Sequence, residues 1–154
     1  MTRRPTSQEE TAPGSGRGIA LPPLPYVLAV GAGGAVGAVM RHAFMVAFPG
    51  QTGAFPVVTF AENVVGSFLL GVVLISLLRA PALGNRWRPF LATGVLGSFT
   101  TFSNVSVQLV ELGVGGAAAT AVLYLFLSVA LGLSAAAAGI ALGVRLVKRF
   151  RPAR

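Results

Sequence analysis

Four long stretches that are almost free of charge, at about residues 24–47, 55–78, 89–112 and 117–147, limit what this chain can fold into. As helix, each is long enough to cross the ~30 Å hydrocarbon core of a bilayer, which takes about 20 residues. Inside lipid every backbone N–H and C=O must find a partner within the protein, and a helix supplies these partners from its own ladder. Only 10% of the 154 residues are charged, where a soluble domain carries about 25%, so no water-soluble exterior can be built. Helical periodicity does not select one buried face, because the stretches are apolar on most sides. The expected fold is an all-α membrane protein with four transmembrane helices, occupying residues 23–149.

Residues 1–22 are polar and rich in Pro, Gly, Ser and Thr, and read as a disordered tail. Residues 150–154 read as a basic C-terminal tail. The first apolar stretch is too long for the core of a signal peptide, so it reads as a retained first span. The chain has no cysteine, which excludes disulfides and thiolate metal sites. The single histidine, His42, lies beside Arg41 near a helix end and forms no histidine cluster. One histidine and four acids, two of them (Glu9, Glu10) in the tail, do not assemble a catalytic set, so no enzyme is expected.

The net charge of +8 invites a nucleic-acid reading, but its distribution follows the membrane. With four spans, both termini and the middle loop share one side. That side holds Arg3, Arg4, Arg17, Arg79, Arg86, Arg88, Arg145, Lys148, Arg149, Arg151 and Arg154, and the other side holds Arg41 alone, a split of 11 to 1 among the 12 basic residues. By the positive-inside rule both termini are expected in the cytoplasm, in a multi-pass protein of the cell membrane, with no nucleic-acid partner.

Polar residues inside the spans point to a path. Gly94-Val95-Leu96-Gly97-Ser98-Phe99-Thr100-Thr101-Phe102-Ser103 sets two glycines and four hydroxyls in the third span. Such a cluster is tolerated at bilayer depth where neighbouring protein, water or an ion satisfies the freed groups, so a break in the third helix is expected there. Small residues also serve helix packing, the reading preferred for Gly31, Gly33, Gly34 and Gly37. In the second span Thr59, Asn63, Ser67 and Gly71 recur every four residues, one stripe of a helix. Asn63 has two N–H donors that can hold an anion without the trapping of a fixed charge. Glu62, on a different face, is expected to be paired with Arg41 or protonated, since a bare carboxylate would repel an anion. Asn104, Ser106 and Gln108 follow the glycine–hydroxyl cluster, and Tyr124 and Ser128 share a face of the fourth span.

Three segments, GGAVGAVMR, TFAENVVGSFLLG and GVLGSFTTFSNVS, together with the length and the four spans, resemble the Fluc/CrcB family of fluoride channels. The resemblance implies an antiparallel dimer of four-helix subunits with two fluoride pathways. It implies that Asn63 donates to fluoride, that Phe102 lines the path, and that Thr59, Thr101, Ser106, Tyr124 and Ser128 give polar lining. It further implies a central structural sodium (Na+) held between subunits by the backbone carbonyls of Gly97 and Thr100, with Arg41, Gly94 and Gly66 in structural roles. Fluoride is small and heavily hydrated, so a pore must replace its water with several donors in relay. The positive edge of an aromatic ring can join them.

The chain departs from the family in four respects. Val105 stands where a second Phe is usual, Gln108 where a Glu is usual, and Glu62 where an apolar residue usually precedes the asparagine. The charge split of 11 to 1 is far from the balance that a dual-topology homodimer needs. The partners implied are therefore fluoride, sodium, membrane lipid and a second subunit, either another copy or a paralogue of opposite charge bias. The expected function is passive export of cytoplasmic fluoride, giving fluoride resistance. Two other functions fit a small four-helix chain. An antiparallel-dimer multidrug exporter would use a carboxylate in its first span, which this chain lacks. A non-conducting partner or scaffold subunit would leave the polar stripe without a purpose.

Overall fold

A computed structural model of the chain describes residues 21–49, 54–79 and 81–150. The tail expected at 1–22 lies outside the described residues except for its last two positions, and the basic tail expected at 150–154 does so except for Phe150. The described residues form only helices and connecting turns: α1 (Leu24–Ala47), α2 (Val57–Leu78), α3 (Pro81–Arg88), a π-helical stretch (Pro89–Leu96), α4 (Gly97–Phe99), α5 (Ser103–Val114) and α6 (Ala118–Phe150). Four spans are long and apolar enough to cross a membrane: α1, α2, a third from Gly84 to Val114 and a fourth from Ala118 to Arg149. The chain is a multi-pass membrane protein. Large apolar side chains lie exposed along every span, among them Leu28, Val39, Leu69, Val110, Phe126 and Leu133, a surface suited to hydrocarbon rather than water.

Proline sets several helix starts. Pro23 and Pro25 flank the first residue of α1, and Pro56 precedes α2, where the missing N–H costs nothing because the first turn has no intrahelical acceptor for it. Between α5 and α6 the chain reverses through Gly115–Ala117. Gly116 has φ +80°, a conformation that glycine adopts without a Cβ clash. The Ala117 N–H donates to the Leu112 carbonyl at 2.8 Å and the Gly116 N–H to Gly113 at 3.3 Å, a Schellman closure that satisfies the last carbonyls of α5.

Two glycine seams hold the bundle together. α1 packs chiefly on the π-helical stretch, and α2 on α6. In the first seam Gly33 and Gly37 are buried; a Cβ on Gly37 would run into the Val95 carbonyl, and one on Gly94 would lie 2.8 Å from the Gly33 Cα. In the second, a Cβ on Gly71 would strike the Ala136 carbonyl and one on Gly139 the Phe68 carbonyl. The packing expected of the first-helix glycines thus rests on Gly33 and Gly37, while Gly31 has no neighbour within 4 Å of such an atom. A buried cluster of Val105, Leu112 and Tyr124, with Phe55, Phe60 and Leu109 against it, fixes α5 on α6 and the start of α2.

Candidate functional site

The first half of the polar stripe of α2, Thr59 and Asn63, reaches the third span, while Gly71 lies against α6. That span bends only slightly, yet Thr100, Thr101 and Phe102 fall outside its helical segments, and Thr100 is extended at φ −76°, ψ 149°. Asn63 grips the backbone there with both ends of its amide. Its Nδ2 donates to the Thr101 carbonyl at 2.9 Å, and the Thr101 N–H donates to its Oδ1 at 2.8 Å. The reciprocal pair fixes which end of the amide is oxygen. It also leaves the second hydrogen of Nδ2 available.

This grip frees specific carbonyls. In a continuous α-helix the N–H of residue 101 would donate to the carbonyl of Gly97, and that of residue 104 to the carbonyl of Thr100. Here the Thr101 N–H goes to Asn63, and the Asn104 N–H goes to Thr101 Oγ1 at 3.2 Å. Side-chain oxygens have taken the donors that two neighbouring carbonyls would otherwise receive. Gly97 is exposed, and the nearest atom to a Cβ placed on it is 3.8 Å away, so this face is open. Thr100 turns its own hydroxyl back to the Leu96 carbonyl at 3.0 Å, and a Cβ on Gly66 would collide with the Thr100 methyl. Gly66 therefore admits Thr100 against α2.

A second hydrogen-bonded line lies deeper. Tyr124 donates from its hydroxyl to Gln108 Oε1 at 2.9 Å, and Gln108 Nε2 donates to Thr59 Oγ1 at 2.9 Å. Because Thr59 accepts, its own O–H remains to donate onward. Tyr124 is fully buried and Thr59 2% exposed, so both ends of the line are shielded, while Gln108 between them is half-buried and borders a cleft. Ser128, one turn along α6 from Tyr124, has a buried Oγ with no hydrogen-bond partner. Gln108 was noted in the sequence as a polar residue after the glycine–hydroxyl cluster and as a departure from a family pattern; its part as the bridge between α2 and α6 had no signal in composition or spacing. Gln108→Leu leaves two buried hydroxyls without partners, and a loss of ~2–6 kcal/mol is expected at ~1–3 kcal/mol for each orphaned group. Unfolding of the detergent-solubilised protein measures it, and Tyr124→Phe should then cost less in the Gln108→Leu background than in the native one.

The remaining expected site residues are dispersed. Phe102 is 79% exposed on the subunit surface, whereas Val105, three residues later, is 5% exposed within the buried cluster. Thr101 is buried, and its hydroxyl lies 3.1 Å from that of Ser103. Ser106 turns its hydroxyl to the Phe102 carbonyl at 3.0 Å and so offers no hydrogen to either line. Gly94 sits in the α1 seam, and Arg41 is partly exposed towards the end of α1. The pairing expected between Glu62 and Arg41 is not made as a direct contact. Glu62 is 3% exposed and neither carboxylate oxygen has a hydrogen-bond partner. The reason is geometric: α1 and α2 scarcely touch, and Glu62 borders an apolar cleft between them of about 780 Å3, lined by Phe44, Phe48, Phe55 and Phe99. A buried carboxylate without partners destabilises a fold. Glu62→Met should accordingly raise the melting temperature of the solubilised chain by a few degrees, read by a thermal-shift assay.

A bundle of four spans whose interior carries amide and hydroxyl groups and one carboxylate, with no cluster of metal-ligating side chains among the described residues, defines a helical membrane protein. Comparison with known proteins makes this specific. Residues 28–140 match the family model described as CrcB-like protein, Camphor Resistance (CrcB), and the chain belongs to that family. It is 50% identical over 97 residues to the "Fluoride-specific ion channel FluC" of Cereibacter sphaeroides, covering 60% of this chain and 76% of that one. It is 38% identical over 85 residues to the protein of the same name from Paraburkholderia xenovorans, covering 55% and 68%. A third relative, "Fluoride-specific ion channel FluC 2" of Streptomyces avermitilis, is 41% identical over 88 residues, covering 57% and 56%. The family is one of channels, and the chain is not an enzyme.

Proposed function

We propose that the chain is one subunit of a fluoride-selective channel that lets cytoplasmic fluoride leave the cell passively. The observation that carries this reading, beside the family, is a set of neutral donors without an acceptor in buried or half-buried positions: the second hydrogen of the Asn63 amide, the Thr59 hydroxyl, which only accepts from Gln108, and the unpartnered Ser128 hydroxyl. Such donors can replace the water of a small anion and still let it go, because none carries a fixed charge. Tyr124 and Gln108 hold this lining in place, and Thr101 presents its backbone to Asn63. Phe102, exposed on the surface of one subunit, would line a path completed by a second subunit.

The Gly97 and Thr100 carbonyls fit a sodium ion at the centre of an antiparallel dimer. They are hard oxygen ligands whose helical donors are diverted to Asn63 and Thr101, and Gly97 lies on an open face. The third helix is in this reading broken at Thr100–Phe102. The bound sodium would supply positive charge that ties the two subunits together. Both termini are assigned to the cytoplasm from the basic residues, and the same imbalance favours a related subunit of opposite bias as the partner over a second copy. The chain would then be half of a heterodimer.

The test is efflux from liposomes that contain this chain alone, read with a fluoride electrode and with chloride as control. Fast efflux of fluoride without chloride establishes the channel and a dimer of identical chains. Proton-driven efflux of a cationic dye would favour an exporter instead. Silence from folded protein with the chain alone, and again with a co-expressed paralogue, would leave a scaffold subunit and sink the channel reading.

A further inference from the structure

Where α1 begins, it meets the end of α3 across a cleft of about 540 Å3 lined by Pro23, Pro25, Tyr26, Asn85, Arg86 and Trp87 among others. Neither the polar line nor the open carbonyls uses it. Its chemistry is two-fold. Arg86 and Asn85 offer only N–H donors and one amide oxygen, while the rest of the wall is proline and aromatic ring. Trp87 is held at its inner edge by Phe90, with ring centroids 6.2 Å apart and planes at 79°.

We propose that this cleft binds the phosphate headgroup of an anionic membrane lipid. Three observations support that occupant. The cleft is at the end of the bundle where α1 and the third span begin and where α2 and α6 finish, and this end carries Arg79, Arg86, Arg88, Arg145, Lys148 and Arg149. The two acids among the described residues, Glu62 and Glu111, both lie elsewhere, in α2 and near the end of α5, so among the described residues this end carries basic groups alone. Arg86 is exposed, and its planar guanidinium matches phosphate with paired bonds. Beside Tyr26 and Ala29, which form the α1 wall of the cleft, Val27 and Leu28 are 47% and 62% exposed; acyl chains attached to a headgroup in the cleft would continue along them. Tyr26 and Trp87, 42% and 45% exposed, have the amphipathic character of rings that settle at headgroup level. A soluble anion would use the arginine and leave the aromatic walls idle.

Trp87 is the only tryptophan of the chain, which makes it the reporter. The full chain is reconstituted in vesicles containing either brominated phosphatidylglycerol or brominated phosphatidylcholine at equal mole fraction, and quenching of Trp87 fluorescence is followed. Phosphatidylglycerol is expected to reach half-quenching at about fivefold lower content, the preference a single arginine near an anionic headgroup gives. Arg86→Gln, an exposed change that leaves the packing intact, should bring the two lipids to parity, and Arg86→Lys should keep most of the preference. Equal quenching in the native protein overturns the proposal. So does a preference that Arg86→Gln leaves unchanged, which would reflect the general charge of this end. An excess of inorganic phosphate should not alter the quenching; if it abolishes the preference, the cleft is a site for soluble phosphate and the lipid assignment falls. The outcome does not depend on whether the chain conducts fluoride.

Discussion

Asn63→Asp is expected to abolish fluoride flux, by ~100-fold or more. Two effects act together. The carboxylate keeps an acceptor for the Thr101 N–H but loses the donor that now reaches the Thr101 carbonyl at 2.9 Å, so two oxygens face each other. It also places a negative charge on the proposed route in a medium where charges are weakly screened, and a barrier of about 3 kcal/mol already amounts to roughly a hundredfold in rate. Efflux from liposomes measures the loss. Asn63→Leu separates the contributions: without charge it removes the grip alone, returns the Thr101 N–H to competition for the Gly97 carbonyl, and should lower both flux and thermal stability. Flux within twofold of native in Asn63→Asp would remove this residue from the path.

The second large effect falls on folding. Gly37→Val puts atoms where the Val95 carbonyl already lies, and backbone cannot step aside as a side-chain tip can. Overpacking of a close-packed site costs ~1–3 kcal/mol, and a clash with backbone on a helix seam belongs at or beyond the upper end. Folded, monodisperse protein is expected to be lost on size exclusion. Gly31→Val is the matched control, on the same helix with no atom within 4 Å of the added Cβ, and should behave as native. Equal tolerance of the two would mean that the seam of α1 on the third span is looser than described.

The four spans were legible because each is a long uncharged run, and because proline stands at the boundaries where helices start. α3 was not. Its sequence, PALGNRWR, has the polarity of a loop, and the helix is recognisable only as the first turns of the span that follows. In the site, Asn63 and Thr101 were both legible as polar residues in apolar surroundings. Their mutual grip joins positions 38 residues apart, and no local pattern encodes which backbone group an amide will meet. Gln108 was legible as a substitution and not as a bridge for the same reason, since Thr59 lies 49 residues and Tyr124 16 residues away. For Glu62 the sequence left two outcomes, a pair with Arg41 or a protonated acid; α1 and α2 scarcely touch, and the direct pair is not made.

The helices differ in length. α2 has 22 residues and α6 has 33, about 33 Å and 50 Å at 1.5 Å per residue. The first matches a hydrocarbon layer of ~30 Å while standing upright, and the second exceeds it by roughly 20 Å. The glycine seam at Gly71 and Gly139 locks the two together, so α6 cannot tilt to hide its surplus without carrying α2 along. Counted from that seam, α6 has 21 residues before Gly139 where α2 has 14 before Gly71, and 11 after it where α2 has 7, so most of its surplus lies at the end where both helices start and less at the end that carries Lys148 and Arg149. Tyr124 and Ser128 stand on the part of α6 before the seam, so any tilt that the long helix adopts carries Thr59 on α2 with them and leaves the two ends of the polar line in register.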